Sequence, residues 1–139
     1  MAISGPTVVV GCPGDTDTAA AYIYTKTSSG WPATPTATLE EPAATSHDNF
    51  GGSVAISHKT IVIGASQADG DAGVAYSYVE RVSGWRSKPT ATLSPPAPAS
   101  NYGGFGWSAA VSGSTAFIGA FGADSYAGPV FIIRSGPVV

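Results

Sequence analysis

The chain has 139 residues, which is enough for one ordinary domain. It carries 6 Lys and Arg and 9 Asp and Glu, so its net charge is −3. Nucleic-acid binding requires a positive field, so this composition argues against that class of partner. The longest apolar runs are about five residues, whereas a membrane-spanning helix needs roughly 20, so we expect no transmembrane segment.

The residue types predict an all-β fold with almost no helix. Thr, Val and Ile occur 13, 12 and 8 times, whereas Leu occurs only twice. β-branched side chains are stiff in helices and fit a pleated sheet. The 18 Gly and 11 Pro break helices and build turns.

One pattern recurs three times along the chain. Residues 2–11 (AISGPTVVVG) resemble residues 55–64 and 110–119, at offsets of 53 and 55 residues. Self-similarity of this kind indicates a repeat architecture. We place the copies at 1–45, 46–99 and 100–139 in one repeat array. The further recurring blocks are 21–24 with 75–78 and 130–133, 29–31 with 83–85, 36–39 with 90–93, and 50–53 with 105–108.

The complete middle copy predicts four strands, near 53–57, 60–64, 73–79 and 88–93. The second is a continuous β-branched run, which indicates burial on both faces. Tyr76 and Tyr78 share one face of the third because side chains alternate along a strand. Four short strands per unit are typical of a β-propeller blade. The first copy lacks the start of its inner strand, and the third lacks its fourth strand.

The Phe50-Gly51 pair, the Gly64-Ala65 pair and the strand at 73–78 together resemble the FG-GAP repeat. That repeat forms the blades of the integrin α-subunit propeller and of many bacterial extracellular propellers. The Gly-Trp before the fourth strand and the closing Thr-Leu are closer to the bacterial variety. The resemblance implies about 2.5 to 3 four-stranded antiparallel blades.

Two departures from that family bear on function. The Gly-Ala-Pro triplet is degenerate at all three positions (Gly11-Cys12-Pro13, Gly64-Ala65-Ser66 and Gly119-Ala120-Phe121). The segments between the first two strands of each copy, such as 57–60, are short and lack carboxylates. They cannot supply six to eight oxygen ligands, so the family's calcium loop is not expected here.

Propellers close with about four to eight blades, and this chain supplies three at most. We therefore expect copies of the chain to associate. Two chains would give about six blades, and a rotation that fails to close would give a filament. The alternative is that the chain is a fragment of a longer array.

An acidic residue follows the second strand in every copy, at Asp15, Asp69 and Asp124, and Asp17 and Asp71 add a second carboxylate in two of the copies. One interpretation is a ligand site where these loops gather. The other is that Asp-Gly sequences simply form turns. Two carboxylates seldom fill a calcium shell, so no metal or cofactor is expected.

Trp31, Trp85 and Trp107 are candidates for stacking on sugar rings. Trp31 and Trp85 recur at equivalent positions, which equally predicts a structural role in each copy, whereas Trp107 replaces Gly52 of the middle copy. A carbohydrate-binding lectin with sites between blades is therefore the alternative to a binding, adhesion or scaffolding module.

No catalytic constellation is apparent, so we predict a protein that is not an enzyme. Cys12, the only cysteine, occupies the position of Ala65 and Ala120, which predicts a small buried side chain. Sparse charge with abundant Ser, Thr and Gly favours a secreted or cell-surface protein of bacterial origin. The residues after Met1 show no signal-peptide pattern.

Overall fold

Runs of β-branched residues separated by Gly- and Pro-rich turns form antiparallel strands along the chain. The computed structural model describes residues 1–14, 19–42, 47–95, 103–122 and 130–134. The described part contains eleven strands and one four-residue helical turn, Ala68–Asp71, which confirms the all-β prediction. No helix among the described residues is long and apolar enough to cross a membrane.

The strands form three antiparallel sheets in which sequence neighbours pair with each other. Sheet 1 contains β1 (Ala2–Ser4), β2 (Thr7–Cys12), β3 (Ala20–Thr25) and β4 (Ala37–Glu40). Sheet 2 contains β5 (Phe50–Ser57), β6 (Thr60–Ala65), β7 (Val74–Val79) and β8 (Ala91–Leu93). Sheet 3 contains β9 (Gly103–Ser112), β10 (Thr115–Gly122) and β11 (Val130–Arg134). Sheet 3 has no fourth strand within the described residues.

Consecutive sheets pack face to face and build two hydrophobic clusters. We call the contact between sheets 1 and 2 the first junction, and that between sheets 2 and 3 the second junction. Alternate residues of β6 pack into the two junctions, since Ile61 and Ile63 face sheet 1 while Val62 faces sheet 3. All three are fully buried, as the apolar run predicted. Full burial of such a side chain stabilises the fold by roughly 1.5–3 kcal/mol.

Repeat-equivalent residues take equivalent places at the two junctions. Phe50 of β5 and Phe105 of β9 are both fully buried. Phe50 lies 5.9 Å from the ring of Tyr76, and Phe105 lies 5.4 Å from the ring of Phe131. The strand register is irregular after Phe50, where Gly51 has a φ of +88°, so the phenylalanine turns inward at a local break in the ladder.

Cys12 departs from its predicted environment, because its side chain is exposed. Its repeat equivalents Ala65 and Ala120 are buried at the first and second junctions. Cys12 lies on the face of sheet 1 that points away from sheet 2, and no described residue covers that face. The prediction was wrong because it assumed that another sheet covers this position in every copy, and no described residue covers it in the first copy.

Candidate functional site

Asp69 and Asp71, predicted as ligand-binding residues, lie in the exposed turn between β6 and β7. Both have positive φ angles, +52° and +69°, and Gly70 between them has +66°. Asp tolerates this left-handed backbone better than most residues, so the turn explains their presence locally. Asp15 and Asp124 lie outside the described residues. Within the described ranges no three His, Cys, Asp or Glu side chains are grouped to hold a metal ion.

The three tryptophans belong to three different copies of the repeat, and only Trp107 lies in a strand, β9. Trp31 and Trp85 each follow a tight turn, closed by the Thr27–Gly30 and Arg81–Gly84 bridges. Trp85 packs against the cluster of the first junction, which agrees with a structural role. Trp31 is 48 % exposed, and no described sheet packs on it as sheet 1 packs on its repeat equivalent Trp85. Trp107 is 56 % exposed and stacks on Phe121, with ring centroids 5.1 Å apart.

A buried carboxyl group at the first junction was not predicted from the sequence. Glu41 directly follows β4 and is only 6 % exposed. Its Oε1 accepts a hydrogen bond of 3.2 Å from the Tyr76 hydroxyl, while its Oε2 is buried with no hydrogen-bond partner in the described chain. The only sequence signal was the pair Glu40-Glu41 after a strand, and Glu40 itself is exposed and pairs with Lys88 at 3.3 Å.

The pKa of Glu41 is raised from 4.5 to about 7, and burial of the carboxyl group is the largest cause. The neighbouring carboxylate of Asp48 contributes to this increase and that of Asp69 contributes less, whereas the Tyr76 hydrogen bond lowers the pKa. The pKa of Tyr76 is raised by burial and by Glu41. Perturbed carboxyl groups also occur in active sites. At 6 % exposure, however, Glu41 is out of reach of a substrate unless the junction opens.

Hydrogen bonds join the sheets at both junctions. At the first, the Tyr78 hydroxyl donates to the carbonyl oxygen of Glu40 at 2.7 Å, and the Ser87 carbonyl accepts from the amide of Glu40 at 2.8 Å. At the second, the Ser53 hydroxyl donates to the carbonyl oxygen of Gly106 at 2.7 Å. Such bonds fix the register between sheets that hydrophobic packing alone leaves adjustable.

The sheets approach each other most closely at pairs of glycines. A Cβ added to Gly64 would lie 1.9 Å from the carbonyl oxygen of Gly106, and one added to Gly11 would lie 1.9 Å from that of Gly51. Each pair joins the glycine of the degenerate triplet to the glycine that follows a buried phenylalanine. The two halves of the sequence motif are therefore in contact across a junction.

The faces of sheets 1 and 3 that point away from sheet 2 are covered by no described residue. On β10, Ala116 and Ile118 face sheet 2, so Phe117 points outward, where it is 38 % exposed. On β2, Val9 faces sheet 2, so Val8 and Val10 point outward. The outer face of sheet 1 carries Ile3, Val8, Val10, Tyr22 and Tyr24, and the outer face of sheet 3 carries Trp107, Phe117, Phe121, Val130 and Ile132.

The family model of the FG-GAP repeat matches residues 34–78. This segment runs from the loop before β4 into β7 and contains Phe50-Gly51 and the Gly64-Ala65-Ser66 triplet. The match confirms the resemblance seen in the sequence. None of the curated proteins matches the chain.

Proposed function

We propose that the chain, whose residues 34–78 match the family model of the FG-GAP repeat, is a non-enzymatic, self-assembling β-propeller module for extracellular binding, adhesion or scaffolding. The observation that carries the proposal is the recurrence of one sheet-to-sheet junction. Both junctions bury a phenylalanine, bring two glycines into close approach and place the same face of the following sheet inward. Radial repetition of such a junction is how propellers are built.

Self-assembly completes this function because the repeats cannot bury their outer faces alone. The outer face of sheet 3 exposes five large apolar side chains in a chain of only 139 residues. Exposed apolar patches of this kind mark interaction surfaces. Two chains supply six sheets, which lies within the usual range of about four to eight blades.

The second candidate function is carbohydrate binding, favoured by the exposed rings of Trp31 and Trp107. Aromatic rings present flat apolar surfaces, so both can stack on a sugar. The two candidates predict different states for these rings. In the scaffold, association of chains covers them, whereas in the lectin they stay open to ligand.

A glycan array probed with the associated protein and with the Trp31→Ala and Trp107→Ala variants separates the two candidates. The scaffold proposal predicts no sugar signal above that of an unrelated control protein. A signal that falls by tenfold or more in one variant would establish the lectin function instead. Exposed positions should tolerate these changes, and a β-sheet circular dichroism spectrum checks that each variant folds.

A further inference from the structure

We propose that the outer face of sheet 3 binds the outer face of sheet 1 of a second copy of this chain, in the same register that joins consecutive sheets within one chain. The inference rests on the proposed function and specifies which surfaces meet. Such a contact is heterologous, since two different surfaces of the same chain join head to tail.

The chain itself shows how these two kinds of face fit together. The face of sheet 2 that packs on sheet 1 presents Ile61, Ile63, Tyr76 and Tyr78, all 6 % exposed or less. Their repeat equivalents on the outer face of sheet 1 are all only partly buried, and these are Val8, Val10, Tyr22 and Tyr24. Sheet 1 therefore presents the kind of surface that sheet 2 buries.

The opposite face repeats in the same way. Val9 and Ile23 of sheet 1 are fully buried against sheet 2. Their equivalents in sheet 3 are Phe117 and Ile132, which pair across β10 and β11 and are 38 % and 55 % exposed. Together with Ser112 and Thr115 they line an open depression of about 510 Å³.

The sizes of the side chains on the two outer faces are complementary. Where β2 and β6 have Val9 and Val62, β10 has the larger Phe117. Where β6 has Ile61 and Ile63, β2 has the smaller valines Val8 and Val10. A larger side chain on one face opposite smaller ones on the other conserves packed volume, which is the condition a dense interface must meet.

A serine-to-amide hydrogen bond predicts the register of the contact. The hydroxyl oxygen of Ser4 accepts the amide of His58 at 3.0 Å, and that of Ser57 accepts the amide of Gly113 at 3.1 Å. Ser4, Ser57 and Ser112 are repeat equivalents, as are Gly5, His58 and Gly113. The next bond in this series joins the Ser112 hydroxyl of one copy to the Gly5 amide of the second copy.

A pair of charge substitutions on exposed residues tests this contact. Ile3 is 64 % exposed on the outer face of sheet 1, and Ile132 is 55 % exposed on that of sheet 3. Burying an unpaired carboxylate at an interface is costly, so Ile3→Glu and Ile132→Glu should each weaken association by about a hundredfold or more. Val82→Glu is the matched control, since Val82 is fully exposed in the loop between β7 and β8.

Mixing the two variants gives the decisive result, read as mass by sedimentation velocity. In a head-to-tail dimer the mixture restores one junction free of substitutions, so Ile3→Glu and Ile132→Glu associate together although neither associates alone. The single thiol of Cys12 gives a second readout. It lies on the outer face of sheet 1 and should react more slowly with a thiol reagent in the associated state.

Three outcomes would overturn the contact. One is equal weakening by Val82→Glu. Another is that only one of Ile3→Glu and Ile132→Glu loses association and mixing the two does not restore it. That result is expected if the contact joins two copies of the same face. The third is association of Ile3→Glu and Ile132→Glu that is as strong as that of the unsubstituted chain, which would leave self-assembly intact and remove only this interface. A folded, β-rich monomer of the unsubstituted chain at high concentration would instead refute the self-assembly in the proposed function.

Discussion

Glu41 shows how one residue makes the first junction sensitive to pH. Its pKa of about 7 in the folded chain lies above the ordinary value of 4.5 that applies when the chain is unfolded. Between these two values the folded state binds more protons than the unfolded state, so stability falls as pH rises. The contribution is fully present below about pH 4.5 and is lost above about pH 7.

Replacing Glu41 with glutamine should remove this pH dependence. The amide stays neutral and keeps an oxygen that accepts the Tyr76 hydroxyl. The free energy of unfolding at pH 8 should therefore exceed that of the parent chain by roughly 2–3 kcal/mol, with little difference at pH 4.5. Urea denaturation at fixed protein concentration across this pH range measures the effect.

Glu40→Gln is the matched control for that measurement. Glu40 is exposed and pairs with Lys88 on the surface, so its loss should change stability by less than about 1 kcal/mol. If Glu41→Gln and the parent chain show parallel stability curves between pH 4.5 and 8, the buried carboxyl group does not titrate as described.

At the scale of strands, the closest approach between sheets depends on glycine at one position of each second strand. Gly64 of β6 and Gly119 of β10 are repeat equivalents and both face the hydroxyl of a serine in the preceding strand. Only Gly64 also faces a backbone carbonyl of the next sheet, that of Gly106. A hydroxyl can rotate away from an added methyl group, but a ladder carbonyl cannot move without shifting its strand.

Gly64→Ala should therefore destabilise the chain by at least about 2 kcal/mol. Gly119→Ala should cost less than about 1 kcal/mol, because only the Ser108 hydroxyl lies close to the added methyl group. Thermal or chemical denaturation of the two variants in parallel measures the difference. If both variants lose the same stability, the close approach of sheets 2 and 3 is not the reason why position 64 requires glycine.

At the scale of the whole molecule, periodicity made the second and third strands of the middle copy predictable. The runs at 60–64 and 73–79 became β6 and β7 almost residue for residue, because alternating and continuous apolar patterns reflect burial directly. The Phe-Gly and Gly-Ala blocks were visible as a motif. That they touch across a junction follows only from the packing of one sheet on the next.

Environments that depend on neighbouring sheets were not predictable in the same way. Cys12 and Ala65 occupy the same place in the repeat, yet one is exposed and the other buried. Glu41 looks like a polar residue in a turn, but the loop and strand that pack on it bury its carboxyl group. In each case the outcome depends on which surface covers the residue, and the local sequence does not encode that surface.

The central claim is that a further junction joins the outer face of sheet 3 of one chain to the outer face of sheet 1 of a second chain. The mass of the unsubstituted chain in solution tests this claim most directly. Light scattering coupled to size exclusion, repeated over a dilution series, should give one discrete species at twice the 13.9 kDa chain mass. A series of larger masses growing with concentration would mean that the same junction propagates as a filament. A folded species of 13.9 kDa at every concentration would contradict the account.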